Sequence, residues 1–235
     1  MIPVSICINT RNRRKELELA LPSVLAQGPR EVIIVDDGST DGSKDVIQNC
    51  IARFPAPSVT YHLLPDTGYN LNPGGSMNTA IALSTQPVVI QQNAEIVSVN
   101  GTFQMLLDDL QPRSPILARV FNVPFPRVQS LPAWGTSERA QVAAGHVSTT
   151  WEDVEPYNST VRPWTNPQVY CGWERQRPLF FLGAMTRELW DELGGYDETV
   201  KDGADRHLEA KMRLLGTVCR GSGTAIAYHI QHGRT

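Results

Sequence analysis

Apolar and polar positions alternate along the first half of the chain in two rhythms. Residues 4–8, "VSICI", form a short apolar run rich in β-branched side chains, the mark of a buried strand. From Arg14 to Gln27 the rhythm changes: Leu17, Leu21, Val24 and Leu25 fall at i, i+4, i+7 and i+8, one face of a helix. Pro22 lies inside that pattern and is expected to kink or restart the helix, because it has no N–H for the ladder. "EVIIV" (31–35) reads as a second strand. Ser43 is expected to cap the next helix, whose Val46, Ile47, Cys50, Ile51 and Phe54 make an apolar stripe ended by Pro55. "VTYHLL" (59–64) is a third strand, residues 76–84 a short helix, and "PVVIQQ" (87–92) a fourth strand.

Strand–helix–strand units of this length imply an α/β fold with a mainly parallel, right-handed central sheet flanked by helices. Ligands of such sheets sit beyond the carboxyl ends of the strands. Three polar groups directly follow proposed strands: Asn9-Thr10-Arg11, Asp36-Asp37, and Gln92-Asn93-Ala94-Glu95. Parallel strands would bring all three to one crevice, although a polar strand end by itself can equally be only the start of a loop.

The second half is patterned less clearly. Residues 113–178 are rich in Pro and Trp and show no helix period. "PLFFLGAMTRELWDELGGYDE" then reads as a strand, a tight small-residue turn, a helix and a glycine stop. A helix over 204–215 would bury Leu208, Met212 and Leu215, and "TAIAYHI" (224–230) is a last strand. The division expected is one fused domain with a ligand-binding half over 1–112 and a second half over 113–235.

Composition narrows the class. At 235 residues, 41% apolar and 19% charged, the chain can bury a substantial core. A net charge of −3 gives no footprint for duplex nucleic acid, and the only basic cluster, "RNRRK" (11–15), suits a solvated helix start. No apolar run reaches the roughly 18 residues of a transmembrane helix. The opening apolar stretch lacks the flanks of a signal peptide. Cys7, Cys50, Cys171 and Cys219 have no metal-binding spacing and are expected to be reduced thiols in a cytoplasmic protein. Two glycosylation sequons, at Asn100 and Asn158, are expected by chance alone.

Several stretches together are similar to a known family. "VSICINTRNRRKELELALPSVLAQ", "EVIIVDDGSTDGS", "NPGGSMNTAIA", "QNAE", "FFLGAMTRELWDELGGYDE" and "ADRHLEAKMRLLG" resemble family 2 glycosyltransferases with the GT-A (Rossmann-like) fold. The resemblance leaves only about 113–178 unmatched, a loop-rich region expected to bind the acceptor. It implies transfer of a sugar from a nucleoside diphosphate donor, usually aided by Mn²⁺ or Mg²⁺, to an unidentified acceptor hydroxyl. The donor expected is a UDP-sugar and the outcome inverting. A retaining transferase and a non-catalytic nucleotide-sugar-binding protein remain as alternatives. A sugar-1-phosphate nucleotidyltransferase ranks low, since no Gly-rich Lys/Arg loop follows the first strand.

Carried over residue by residue, the resemblance sets Thr10 and Arg11 beside the base and phosphates. One carboxylate of Asp36-Asp37 would accept from the base, typically the N3–H of uracil, because an ionised carboxylate is an acceptor only. Gly74, Gly75 and Asn78 would lie against the ribose and diphosphate. Met77 stands where the family often has Arg, so phosphate charge would be met by metal, Arg11 or Arg234. Where the family expects Asp-x-Asp, this chain has Asn93-Ala94-Glu95, leaving Glu95 as a metal ligand and Asn93 as a neutral amide oxygen. His229 or His232 would add a second ligand. Gly183 and Ala184 are expected to bring a backbone turn close to sugar and acceptor. Asp205 is the expected general base, held ionised with a low pKa at a helix N-terminus, with Asp202 as the other candidate. Ala204 replaces the family's Glu, and Trp134, Trp151, Trp164 and Trp173 are candidates for an acceptor lid.

Overall fold

A computed structural model describes residues 1–54, 57–65, 73–124, 180–200 and 203–231. The first half builds the expected parallel layer. β1 (Ile2–Thr10), β2 (Pro29–Asp36), β3 (Ser58–Leu63) and β4 (Val88–Asn93) pair in the order β3-β2-β1-β4, all parallel. Central strands of such a layer are covered on both faces, hence the unbroken apolar runs. Ile6, Ile8, Val32 and Ile34 face one side, where α1 (Arg14–Leu25), α2 (Ser43–Arg53) and α4 (Thr102–Asp109) bury Leu21, Val24, Ile47 and Phe103 against them. Cys7, Ile33 and Val35 face the other, packed with Met77 and Ile81 of α3 (Pro73–Leu83).

The remaining strands are mixed. β7 (Leu182–Thr186) runs antiparallel to β4, and β6 (Ile116–Pro124) antiparallel to β7. β8 (Arg220–Gln231) then pairs in parallel with β6, and β5 (Ile96–Ser98) closes the edge antiparallel to β8. Among the described residues the sheet thus reads β3-β2-β1-β4-β7-β6-β8-β5. α5 (Arg187–Leu193) and α6 (Ala204–Leu214) lie on the α3 side, contributing Trp190, Leu208 and Met212 to the second core.

Three local expectations are corrected. α1 runs through Pro22 without restarting: the Ala26 N–H bonds the Pro22 carbonyl, and the Ser23 hydroxyl bonds Ala20 O. Ser43 is the first residue of α2 and not its cap; Gly42, at φ +90°, occupies that position. The Ser43 hydroxyl instead donates to Asp41 and accepts from the Arg13 N–H. Finally, "LGAMT" is strand β7 itself, so Gly183 and Ala184 form no turn. Gly183 is required there for packing: a Cβ would lie 2.5 Å from Leu117 Cδ2 and 3.2 Å from the Ile116 carbonyl oxygen. Ala184 is fully buried in the sheet, paired with Ile90.

Candidate active site

The chain leaves β1 toward β2 and β3 on one side and reaches β4 on the other. Strand order therefore reverses between β1 and β4, where parallel sheets open a crevice at their carboxyl ends. Thr10 is in register with Asp36, and Asn9 with Asn93, so the three polar groups do meet. They line a cavity of about 360 Å³ with Arg11, Asn12, Arg13, Asp37, Pro73, Ser76, Ala94 and Glu95.

Adjacent acids have separate duties. Asp36 is fully buried, accepting from the Ser39 N–H at 2.8 Å and the Tyr61 hydroxyl at 3.0 Å. Burial and this carboxylate push the Tyr61 phenol well up, so Tyr61 stays a donor. Asp36 therefore holds the turn, with Gly38 at φ +72°, and lines neither cavity. Asp37 is half-buried and lines the cavity, its N–H bonded to Thr10 O at 2.9 Å. Of the pair, only Asp37 lines the cavity.

The arginine cluster is not simply a solvated helix start. The Arg11 guanidinium donates to the Asp37 carbonyl oxygen, and Arg13 Nε lies 3.9 Å from Glu95 Oε2, so both edge the cavity. Asn12 adopts φ +49°, unusual outside glycine, and reciprocates with the facing loop. Its N–H donates to the Ser39 hydroxyl and its side-chain oxygen accepts from the Thr40 N–H, both at 2.9 Å. Asn12 and Arg13 line the cavity and were missed in the sequence; the signal was an Asn, after glycine the residue most tolerant of left-handed backbone, between two arginines. Thr10 Oγ1 is buried and has no hydrogen-bond partner among the described residues. Such an orphan facing a cavity is the condition a bound polar ligand relieves.

At the other edge, β5 and β8 bring Glu95 and His229 together, with Glu95 Oε1 3.7 Å from His229 Nε2. The Asn93 amide donates to Glu95 Oε1 at 3.4 Å, and the Phe181 ring packs tilted against the imidazole, 5.0 Å between centroids. The described residues hold no cluster of three or more His, Cys, Asp or Glu. One carboxylate and one imidazole nevertheless fit part of a divalent cation's shell, and Glu95 and His229 are the residues that would hold it. His232, Asp202, Arg234 and the four tryptophans lie outside the described residues.

A second cavity, of about 390 Å³, adjoins the first through Asn9, Pro73 and Asn93. Gly74, Met77, Gln91, Phe180, Tyr196 and residues 203–206 complete it. The N-terminus of α3 opens between the two cavities, and the Asn9 amide donates to Pro73 O at 3.1 Å. The positive end of that helix dipole faces the crevice, a place suited to phosphate. Met77, only 1% exposed, is core here. Gly74 lines the second cavity, but Gly75 faces Glu198, and Asn78 lies outside both cavities. Both polar atoms of Asn78 bind the "GGYDE" turn, accepting from the Tyr196 N–H and donating to Tyr196 O and Glu198. Asn78 is thus a clamp between helix and turn rather than a ribose contact.

Asp205 stands in the first turn of α6, in the second cavity, but its titration is opposite to expectation. Burial pushes its carboxyl up to about 6, outweighing the hydrogen bonds from the Phe180 N–H and Tyr196 hydroxyl. Loss of water outweighs the helix dipole, a surface-scale effect of about 0.3–1 kcal/mol. The result is a carboxylate of raised basicity beside an open cavity, the property of a general base.

A parallel layer with a crevice at its switch point, extended by a mixed set of strands and by a helix that sets Asp205 beside the second cavity, defines an α/β fold built to hold a ligand at the carboxyl ends of its strands. Residues 5–121 match the family described as Glycosyl transferase family 2, and the chain belongs to that family. It is 34% identical over 110 residues to an uncharacterized glycosyltransferase of Nostoc sp., covering 46% of this chain and 33% of that protein. Among solved structures it resembles the mannosyltransferase PcManGT from Pyrobaculum calidifontis in complex with GDP-Man and Mn²⁺. There the TM-score is 0.64 and identity 20%, over 99% of this chain and 58% of the other. GalNAc-T7 with UDP, GalNAc and Mn²⁺ gives a TM-score of 0.68 at 14% identity, over 99% of this chain and 44% of the other. S. aureus TarS 1-349 in complex with UDP gives 0.62 at 16%, over 98% and 61%. The fold is GT-A. The chain spans a third to about three-fifths of the length of these relatives. Among the described residues no helix is long and apolar enough to cross a membrane. Cys7, Cys50 and Cys219 carry free thiols.

Proposed function

We propose that this protein transfers a sugar from a nucleoside diphosphate-sugar, a UDP-sugar in the first instance, to an acceptor hydroxyl with inversion. The observation that carries the reading is the pair of cavities joined at Asn9 and Asn93, one edged by Asp37, Arg11 and Arg13, the other by Asp205. In this reading the Asp37 carboxylate accepts the N3–H of uracil and Thr10 Oγ1 finds its missing partner on the nucleotide. The diphosphate lies at the α3 N-terminus within reach of Arg11 and Arg13. Bound at Glu95 and His229, Mn²⁺ or Mg²⁺ would offset charge on the leaving diphosphate.

Asp205 takes the proton from the acceptor hydroxyl as that oxygen bonds to the anomeric carbon. The bond from that carbon to the diphosphate oxygen breaks on the opposite face, and the electron pair leaves with the nucleoside diphosphate. A base near pH 6 is ionised at neutral pH yet still strong enough to accept a proton, which supports the inverting over the retaining reading.

The test is a thermal-shift panel of UDP, GDP, ADP, CDP and their sugars, with and without Mn²⁺. A specific donor raises the melting temperature by mass action, and the shift with UDP and Mn²⁺ together should exceed the sum of the two alone. If no nucleoside diphosphate moves the melt, the transferase reading fails. Binding without donor hydrolysis or transfer would favour the non-catalytic nucleotide-sugar-binding protein.

A further inference from the structure

Around Asp205 the hydrogen bonds close into a ring. The Phe180 N–H donates to the Asp205 carboxylate, while the Phe180 carbonyl accepts from Gln91 Nε2 at 2.8 Å. A carbonyl can only accept, so Gln91 must turn its amide nitrogen to Phe180 and its Oε1 to Tyr196. The Tyr196 hydroxyl lies 2.8 Å from that oxygen and 3.3 Å from Asp205 Oδ1. Tyr196 has one O–H proton and faces two acceptors. It can serve Gln91 or Asp205 fully, but not both.

The ring cannot swing between them. Asn78 grips the Tyr196 backbone by its N–H and carbonyl, each at 2.9 Å, and Trp190 packs edge-on at 5.5 Å. Lys211 Nζ holds the preceding carbonyl of Gly195 at 2.6 Å. Only rotation of the hydroxyl about its C–O bond remains. Burial holds the phenol far above its ordinary value, so the proton stays on Tyr196 at any working pH.

We propose that Tyr196 and Gln91 are positioning residues that follow the protonation state of Asp205, the tyrosine O–H turning to Asp205 when it is ionised and to Gln91 when it is protonated. The proposal rests on Asp205 being the base of the transfer reaction. In the ionised state two donors, the Phe180 N–H and Tyr196 O–H, hold the carboxylate, with the cavity open for the acceptor hydroxyl. When Asp205 takes the acceptor's proton, the Tyr196 O–H returns to Gln91, and the tyrosine oxygen can accept from the new acid. No heavy atom needs to move. Gln91 thereby competes with Asp205 for the stabilising proton and keeps the base stronger than it would otherwise be.

The other groups near Asp205 do not supply this response. β4 presents only the uncharged Gln91 and Asn93 to the cavity, and the β7 side presents apolar Phe180. Among the described residues, Cys219 sits near Tyr196 with its thiol pushed up to about 12 by burial, and Arg206 is exposed on the same helix as Asp205.

The two partners predict opposite displacements. Protein labelled with ¹³C at aspartate carboxyls is titrated by NMR, the Asp205 resonance being assigned by its loss in Asp205→Asn. Tyr196→Phe removes a donor to the ionised form and should raise the Asp205 midpoint by about 0.5–1 pH unit. Gln91→Met removes the competing acceptor and should lower it. A role confined to packing would reduce the melting temperature of both variants and leave the midpoint in place. An unmoved midpoint, or displacement of both variants in one direction, overturns the proposal; Tyr196→Phe, which keeps the ring, decides it alone if Gln91→Met does not fold. In transfer assays Tyr196→Phe should lower kcat about tenfold, displace the acid limb of the pH profile upward and leave the donor KM unchanged. Midpoints that move as expected in a protein that transfers nothing would sink the base assignment and leave the hydrogen-bond pair intact.

Discussion

Replacing Asp205 by Asn should remove activity and add stability, and the added stability should depend on pH. In the folded protein the carboxyl titrates at about 6, against an ordinary value of 3.8. Folding therefore favours the protonated form. The stability it contributes is complete below the unfolded value and is lost as pH rises through about 6. Two pH units correspond to roughly 3 kcal/mol at most, and because Asp205 retains some solvent contact we expect about 1–3 kcal/mol. Asn cannot ionise and escapes that loss while still accepting from the Phe180 N–H. At pH 4 the variant and parent should melt together. At pH 8 the variant should melt higher by about 3–10 °C, from the usual conversion for a chain of this size. The assay is thermal unfolding across pH 4–8, paired with donor turnover, which should fall by about 10²-fold or more. Parallel melting curves for the two proteins across that range would refute the reasoning, because they would mean the carboxyl loses no hydration on folding.

Other perturbations have equally direct readouts. Gly183→Ala forces a Cβ to within 2.5 Å of Leu117 Cδ2 and against the Ile116 carbonyl; overpacking of this kind costs about 1–3 kcal/mol, read as a lower melting temperature with unchanged nucleotide affinity. Glu31 closes the amino end of the sheet, where burial would raise its carboxyl but hydrogen bonds from Ser5, Thr85 and Gln86 prevail and lower it. Its stabilisation is present above the unfolded pKa and lost as pH falls through the lower folded value. Glu31→Gln should therefore cost about 1–2 kcal/mol at pH 7 and nothing in strong acid, measured by urea unfolding at both. Glu95→Gln should abolish the extra thermal shift that Mn²⁺ gives in the presence of UDP while leaving the shift with UDP alone; retention of the Mn²⁺ effect would remove Glu95 from the metal site.

The parallel layer and its crevice were legible in the chain because their signals are local. Continuous apolar runs such as "VIIV" need two covered faces, and one parallel register then carries Asn9, Asp36 and Asn93 to a common edge. What local pattern could not decide was which of two identical neighbours lines the cavity. Asp36 and Asp37 differ only in that Tyr61, from the next strand, and the Ser39 N–H enclose the first. "LGAM" suggests a turn by its small residues, yet those residues are small because β6 passes too close for a side chain at Gly183. The dipole of α6 was visible from sequence and favoured an ionised Asp205. Its burial was not, because Phe180, Tyr196 and Gln91 arrive from three distant segments. Sequence alone determined the elements and the chemistry available at their ends, through hydrophobic period and side-chain type. Tertiary structure alone decided which of the two acids lines the cavity and how basic Asp205 is, because water exclusion and competing hydrogen bonds exist only once separate strands and helices pack.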